Sequence, residues 1–354
     1  MTRLALRPVP VPGWPQGDRQ RWLASREPAG PFDDDAGLAA NWRAPTIRNC
    51  ERGYGIWLAW LTARGELATE ALPSSRVTRE RIEAFLADYR PGRAPATVAG
   101  TLRGIAYVLR ACEPPDGVAW LTKLAHRLTN TARPVRPKLP RMAPVAAIAG
   151  LGAKLMAEGL AQLDRGKRSG AVIYRDGLLF ALLIRRPLRR SEMWRLQLGT
   201  TFRLEDGIMR IRIDGRNTKS GIAPAELVPA GIVPGIATYL DKVRPVLLRP
   251  DRPDEGWFWL NRRGGRLALQ DITTRIARLS RQHLGRDLSP HLFRDCAATT
   301  IALEAPERIG ISKSVLAHAS LATSQTFYNQ ATGFAAVAKH GDLLRSLYED
   351  GDQE

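Results

Sequence analysis

Cysteine is scarce in this sequence. Three residues, Cys50, Cys112 and Cys296, are spread over 354 positions, and no two of them form a short-spaced pair. An odd number of widely separated thiols predicts neither a disulfide framework nor a zinc site. The cysteines therefore argue against a disulfide-stapled secreted domain and favour a protein of the cell interior.

A long apolar run is missing from the N-terminus. The opening stretch MTRLALRPVPVPGWPQGDRQRW is interrupted by four prolines and holds no apolar core long enough for a signal peptide or a membrane span. We therefore expect a cytoplasmic protein that has no membrane partner.

Nucleotide-binding and metal-nuclease signatures are incomplete. DRGKRSG imitates a phosphate loop, but Ala161 stands where the first glycine belongs, and Arg168 follows the lysine in place of Ser or Thr. GLGAK, from Gly150, lacks the third glycine of a dinucleotide fingerprint. The acidic cluster Asp33–Asp35 lies in a Pro/Gly-rich stretch, and the sequence shows no carboxylate constellation for a two-metal nuclease.

Positive charge is what the sequence has in excess. Its 53 Lys and Arg residues against 35 Asp and Glu residues give a formal net charge of +18. Such a balance indicates a polyanionic partner, for which nucleic acid is the main candidate. A basic proteome or a solvated surface would give the same balance, so the motifs have to decide.

The length predicts two domains with flanking segments. Residues 1–45 are rich in Pro, Gly and Trp and predict an N-terminal arm or an irregular packing segment. Helical periodicity over 46–130 predicts a small helical domain, with the Thr78 and Thr97 hydroxyls as caps at two helix starts. Residues 131–144, with four prolines and four basic residues, predict a linker that either follows a phosphate backbone or is a solvated spacer.

The second domain is expected over 145–354. A helix is predicted from about Val145 to Leu163, and a strongly apolar one around Gly177–Ile184. The alternation in IMRIRID after an Asp-Gly turn predicts a β-hairpin, and AELVPA a third short strand. The rest is expected to be mostly helical, including ITTRIARLSRQHL. The predicted fold class is mainly α with a small antiparallel β-sheet, an α+β arrangement.

Four motifs follow one another in this second domain. They are LRRSEMWRL at Leu188–Leu196, NTKSG at Asn217–Gly221, HLFRD at His291–Asp295 and LAHASLATSQTFYNQA at Leu316–Ala331. Each is weak alone, but the ordered set resembles the catalytic domain of the tyrosine recombinases, or phage-type integrases, over roughly residues 145 to 345. The helical region 54–128 resembles the core-binding domain of that family.

The resemblance assigns a catalytic set. Its members are Arg189, Lys219, His291, Arg294, His318 and the nucleophile Tyr328, with Glu192 as a supporting acid. Arg190 is the alternative to Arg189 if the register is shifted by one position. Two departures from the family pattern are Pro187, where a glycine is usual, and a spacing of ten between the second histidine and the tyrosine, one more than in many members.

The chemistry of these residue types agrees with the assignment. Guanidinium groups can grip the non-bridging oxygens of a phosphodiester at two points, and a helical His-x-x-Arg pair shares one face. A phenol with a pKa near ~10 has to lose its proton as it attacks. His291 is the first candidate to accept that proton and His318 the second, while Lys219 would protonate the leaving oxygen. No metal, ATP or other cofactor is implied.

The implied function is that of a site-specific DNA recombinase or integrase acting through a covalent 3′-phosphotyrosine intermediate. Its partner would be double-stranded DNA carrying specific sites, and recombination implies a homo-oligomer, a tetramer in synapsis, with the final helix Phe334–Tyr348 as a candidate for docking on a neighbour. A type IB topoisomerase-like enzyme and a catalytically silent DNA-binding protein are the alternatives. A transposase-like role also remains open within the recombinase class.

Overall fold

The computed structural model describes residues 5–30, 36–113, 119–131, 135, 137–205, 207–213 and 227–304. The chain divides into two compact units, the first ending at Pro137 and the second beginning at Lys138. None of the helices in these ranges combines the length and the apolar character needed to cross a bilayer.

The first unit is built from helices. They are α1 (Gln16–Ala24), α2 (Ala44–Ala63), α3 (Arg79–Tyr89), α4 (Pro95–Cys112) and α5 (Ala119–Thr131). Its core is rich in aromatic rings, and Trp57 and Trp60 of α2 stack with ring centroids 5.2 Å apart. Helices α2 and α4 cross closely at two glycines, since a Cβ added to Gly53 would lie 2.8 Å from the Thr101 carbonyl oxygen and 3.0 Å from the Gly104 Cα.

One of the two predicted helix caps is confirmed and the other is wrong. The Thr78 side chain accepts a hydrogen bond from the Arg81 backbone N–H, as an N-cap residue should. Thr97 does not cap α4, because the helix already begins at Pro95 with Ala94 as N-cap. Proline fits the first helical position because its missing N–H would have no partner inside the helix there.

The segment before α2 packs into the first unit. Trp14 and Trp22 are buried among its core residues, and Asp18 of α1 is buried too. The Arg76 guanidinium donates to Asp18, and the Tyr54 hydroxyl donates to the other oxygen of that carboxylate at 2.6 Å. A buried, hydrogen-bonded ion pair therefore ties α1 to the helices that follow it.

The second unit opens with two long, closely packed helices. These are α6 (Val145–Asp164), which confirms the predicted helix, and α7 (Ser169–Arg185), which contains the apolar run Gly177–Ile184. Every residue of that run is buried. The short helix α8 (Arg190–Trp194) follows after a four-residue connection. The connection follows the buried run of α7, and Leu188, the first residue of the motif LRRSEMWRL, is buried as well. The start of the motif is therefore held against the core.

The predicted β-hairpin is confirmed. Strands β1 (Phe202–Glu205) and β2 (Ile208–Ile211) pair antiparallel, and Gly207 in the turn has φ of +75°, which favours glycine. Along the second arm Met209, Ile211 and Ile213 are buried, as the alternation predicts. Of the expected third strand, the described part forms a single antiparallel bridge between Leu227 and Arg210.

Helices complete the described part of the second unit. A helical stretch runs through α9 (Val233–Thr238), a π-helical turn (Tyr239–Val243) and α10 (Arg244–Leu247). It is followed by α11 (Leu269–Leu284), which contains ITTRIARLSRQHL and ends at Gly285 with φ of +62°, and by α12 (Pro290–Glu304). The fold is mainly α with a small antiparallel sheet, as predicted from the sequence.

Candidate active site

Four of the seven predicted site residues lie in the described part of the chain. Arg189 and Glu192 belong to the start of α8, and His291 and Arg294 belong to the first turns of α12. Lys219, His318 and Tyr328 lie outside the described residues, as does the Phe334–Tyr348 segment.

The Glu192 carboxylate caps the N-terminus of α8 by accepting two hydrogen bonds from Arg189. The Arg189 backbone N–H donates to Glu192 Oε2 at 2.7 Å, and Arg189 Nη1 donates to Glu192 Oε1 at 2.9 Å. The Glu192 carboxylate is 4% exposed, whereas the Arg189 side chain is 23% exposed. A buried acid thus holds a guanidinium that still reaches the surface.

The turn before α8 connects this cap to α12. The Leu188 backbone N–H donates to the Arg186 carbonyl at 2.7 Å, so Pro187 stands at the centre of a tight three-residue turn. Proline suits that position because its fixed φ is close to the value that such a turn requires. The Pro187 carbonyl accepts a hydrogen bond from Arg294 Nη1, which joins two segments 107 positions apart. The departure from the family pattern at Pro187 therefore leaves the turn intact.

Arg294 is buried beside a second cation. It is 6% exposed. Its pKa is lowered to about 10, chiefly because burial penalises the charged form and secondly because of the nearby Arg189, while Glu192 and Asp295 act in the opposite direction. At neutral pH the guanidinium remains protonated. Because Arg189 and Arg294 repel each other, an anionic ligand such as a phosphate is favoured beside them.

Arg189 and Arg190, which are adjacent in the sequence, have different surroundings in the structure. Arg190 is exposed and its Nη1 lies 3.3 Å from Thr273 Oγ1 on α11. Arg189, in contrast, contacts Glu192 and lies close enough to Arg294 to lower its pKa. Of the two possible registers, the geometry favours the one with Arg189 in the site.

His291 is the second residue of the helix that carries Arg294. It is exposed, follows the buried Pro290, and precedes Arg294 by three residues on α12. Positions three apart on a helix lie on one face. The spacing therefore places the two residues on one face of α12, where His291 is exposed and Arg294 is buried.

One feature of the site region was missed by the sequence reasoning. Asp295, which follows Arg294, is 3% exposed and forms an ion pair with Lys138, whose Nζ lies 2.9 Å from Asp295 Oδ2. Lys138 comes from the basic segment that was predicted as a linker. The Arg141 Nε also donates to the Asp287 carbonyl at 3.2 Å, so this part of the segment is fastened to the second unit. An acid within HLFRD was visible in the sequence, but its partner was not.

Known proteins of similar sequence are bacterial tyrosine recombinases. The chain is 26% identical over 165 residues to "Tyrosine recombinase XerC" of Pseudomonas syringae pv. tomato, a match that covers 47% of this chain and 51% of that protein. It is 24% identical over 286 residues to the protein of the same name from Pseudomonas fluorescens, covering 70% of this chain and 91% of the relative. The chain thus spans about half the length of the first relative and most of the second. No family model matches the sequence.

Solved structures with a similar fold include a recombinase and an integrase, each bound to DNA. The XerH site-specific recombinase bound to palindromic difH substrate, in a post-cleavage complex, superposes with a TM-score of 0.56 at 20% identity, covering 85% of this chain and 80% of that one. The Tn1549 transposon integrase in complex with circular intermediate DNA gives a TM-score of 0.54 at 14% identity, covering 82% and 91%. At these identities the likeness shows the fold.

Proposed function

We propose, from the premise that this chain is a relative of the tyrosine recombinases, that it is a site-specific DNA recombinase or integrase. It would break and rejoin DNA strands through a covalent 3′-phosphotyrosine intermediate. The observation that carries the proposal is the meeting of Arg189 and Arg294, from two separate motifs, around the buried Glu192. Two neighbouring guanidinium groups are suited to stabilise the oxygens of a phosphoryl group in transfer.

The two arginines would stabilise the scissile phosphate. As a phenol attacks phosphorus, negative charge grows on the non-bridging oxygens, and preorganised cations placed there lower the barrier. Arg294 is held by the Pro187 carbonyl and Arg189 by Glu192, so both are oriented before DNA arrives. Removing one such donor typically costs a factor of ~10²–10³ in rate.

The remaining roles follow the resemblance. The Tyr328 oxygen would bond to phosphorus while the bond to the 5′ oxygen breaks, and Lys219 would protonate that leaving oxygen. His291, or secondly His318, would accept the phenolic proton. Attack by the free 5′ hydroxyl of another strand on the phosphotyrosine would then release Tyr328 and reseal the DNA, so no external energy source is needed.

The partner would be double-stranded DNA with specific recombination sites. The net charge of +18 supports binding to phosphates, and the XerH and Tn1549 structures hold difH substrate and circular intermediate DNA. Exchange between two duplexes needs four protomers, so we propose a tetramer on DNA. Because the similar proteins come from bacteria, we propose that the protein acts in the bacterial cytoplasm.

A nicked suicide duplex tests the proposal. The protein is incubated, with a chelator present, on such duplexes made from the DNA that flanks its gene, and a covalent protein–DNA band is sought. We expect the band with the wild type and with Tyr107→Phe, which removes a hydroxyl from the first unit, and its loss with Tyr328→Phe. DNA binding without a band at any flanking site would instead favour the silent DNA-binding alternative.

The same reaction separates recombination from topoisomerase activity. A recombinase should join strands between two site-bearing duplexes, with a yield that depends on assembly of several protomers. A type IB topoisomerase would relax supercoiled plasmid as a single protomer and would not require two sites. Relaxation without strand exchange would overturn the recombinase assignment while leaving Tyr328 as the nucleophile.

A further inference from the structure

An arginine is sandwiched between two indole rings at the far end of α8. The Arg266 Cζ lies 3.2 Å from the centroid of the Trp194 ring and 3.5 Å from that of the Trp257 ring. A guanidinium is planar, so it can stack on two aromatic faces at once. Burial, and secondly the nearby Arg195, lower the pKa of Arg266, while Glu255 acts in the opposite direction. Arg266 belongs to none of the recombinase motifs.

The same guanidinium caps the C-terminal end of α8. Its Nη2 and Nε donate to the Trp194 carbonyl oxygen at 2.7 and 3.3 Å. Trp194 is the last residue of the helix, where carbonyl groups lack partners within the helix and a cation is favoured. Arg266 therefore contacts α8 in two ways, by stacking on the Trp194 ring and by donating hydrogen bonds to the Trp194 carbonyl oxygen.

The other ring of the sandwich is itself fixed. Trp257 Nε1 donates to Glu255 Oε2 at 2.7 Å, and Trp257 forms an antiparallel bridge with Gln197. Beside it, the Phe258 backbone N–H donates to the Leu196 carbonyl at 3.0 Å. The stack thus sits on a short paired segment, which makes it a rigid support for the end of α8.

We infer that Arg266 is a positioning residue for Arg189 and Glu192, an inference that rests on the proposed function. Helix α8 has five residues, too few to be stable by itself, so contacts at its two ends set its orientation. Arg189 and Glu192 form one end and the Arg266 stack holds the other. A shift of α8 would move the Arg189 guanidinium relative to the phosphate, and displacements of about 1 Å can cost on the order of 100-fold in rate.

Two substitutions separate the stack from its hydrogen bonds. Arg266→Met keeps an unbranched, flexible side chain but removes the guanidinium with its charge and donors, whereas Arg266→Lys keeps a cation that can reach the Trp194 carbonyl. Arg252 is an exposed arginine beside Gly265, and Arg252→Met is the matched control. Two quantities are measured on the full chain. The first is amide hydrogen exchange over 189–198 without DNA, and the second is the single-turnover rate of adduct formation on the nicked duplex at saturating protein.

We expect Arg266→Met to speed exchange over 189–198 and to slow adduct formation by about 10- to 100-fold. The protein concentration for half-maximal adduct formation should stay within about twofold of wild type. Arg266→Lys should recover part of both effects, and Arg252→Met should change neither. A purely structural role would instead change exchange over the whole second unit and lower binding and rate together.

The outcomes distinguish the two proposals. If the wild type forms the adduct and Arg266→Met forms it at the same rate, the positioning role is overturned and the proposed function stands. Unchanged exchange over 189–198 in Arg266→Met overturns the positioning role even if no substrate is found. An absent adduct with the wild type at all flanking sites counts against the proposed function, and faster local exchange in Arg266→Met would still show that Arg266 holds α8.

Discussion

The Glu192 carboxylate binds Arg189 twice. One oxygen accepts the backbone N–H of Arg189 at 2.7 Å, and the other accepts its Nη1 at 2.9 Å. The acid therefore fixes where α8 begins and where the guanidinium of Arg189 points. Because Glu192 is buried, both bonds are protected from water. Because the acceptor is a carboxylate, both are of the stronger, charge-assisted kind.

Glu192→Gln should slow covalent adduct formation about tenfold while leaving DNA affinity nearly unchanged. The amide can still accept one of the two hydrogen bonds, but its NH₂ group would face either the backbone N–H or the guanidinium of Arg189. The loss of about 1.4 kcal/mol that a tenfold effect represents is within the range of one weakened charge-assisted bond. Single-turnover adduct assays on the nicked duplex measure it.

Glu158→Gln supplies the control for this substitution. Glu158 is exposed on α6 and contacts Gln162, so loss of its charge should not alter the rate. A Glu192→Gln protein that forms the adduct as fast as the wild type would show that the charge of Glu192 does not orient Arg189.

Arg294→Met should slow adduct formation by about 10²–10³-fold with little change in the stability of the fold. Because burial and Arg189 lower its pKa to about 10, keeping Arg294 charged disfavours the folded state at neutral pH. Loss of the hydrogen bond to the Pro187 carbonyl acts in the opposite direction. We therefore expect the variant to melt within about 3 °C of the wild type at pH 7.

The pH dependence of this stability difference has a defined sign. Below pH 10 the wild-type side chain is charged in both the folded and the unfolded chain, so the cost of burying it is fully present. As the pH rises through 10, the folded chain loses the proton before the unfolded chain does, and the cost diminishes. In urea unfolding, the stability of the wild type relative to Arg294→Met should therefore increase as the pH rises through 10. A variant clearly less stable than the wild type at pH 7 would contradict the argument.

Local patterns in the sequence were sufficient for much of the fold. The helix predicted over Val145–Leu163 extends from Val145 to Asp164, and the hairpin turns at Gly207 as expected. Apolar periodicity and turn chemistry act between near neighbours in the chain, so they can be read directly. The error at Thr97 has the same local origin, because a proline at the first helical position outweighed a hydroxyl two residues later.

Contacts between distant segments could not be predicted in this way. The motifs indicated that Arg189 and Arg294 belong together, but they gave no sign of the Pro187 carbonyl that holds Arg294. Similarly, no local pattern pairs Lys138 with Asp295 or places Arg266 between two indoles. Such pairs depend on how whole helices and strands pack. A single sequence shows each residue of a pair but not that the two are in contact.

Lys138→Met should loosen α12. The substitution leaves the buried Asp295 carboxylate without the ammonium that lies 2.9 Å away. Loss of an exposed ion pair costs little, whereas removing one partner of a buried pair costs several kcal/mol. Since Lys138 is half exposed and Asp295 is buried, we expect a cost of about 1–3 kcal/mol. Amide hydrogen exchange over 290–304 should report it as faster exchange. Asp295→Asn should cost less, because it removes the buried charge.

A double-mutant cycle checks that the two side chains act on each other. Combining Lys138→Met with Asp295→Asn should cost less than the sum of the single changes, since the acid that needs the lysine is gone. Lys154→Met, at an exposed position on α6, should leave the exchange of α12 unchanged. Strictly additive effects would mean that the ion pair does not stabilise α12.

Tyr54→Phe should release the N-terminal helix α1. Burial, and secondly the charge of Asp18, raise the pKa of Tyr54 well above its usual range, so its hydroxyl stays a donor to the Asp18 carboxylate at any working pH. Losing a hydrogen bond to a buried charge costs about 1–3 kcal/mol.

Limited proteolysis measures the release of α1. Trypsin should cut Tyr54→Phe sooner than the wild type at Arg19 and Arg21 in α1. It should cut Arg76→Met sooner still, because that variant leaves Asp18 without its cation. Tyr107→Phe should be cut like the wild type, and equal cleavage of all four proteins would show that the cluster does not hold α1.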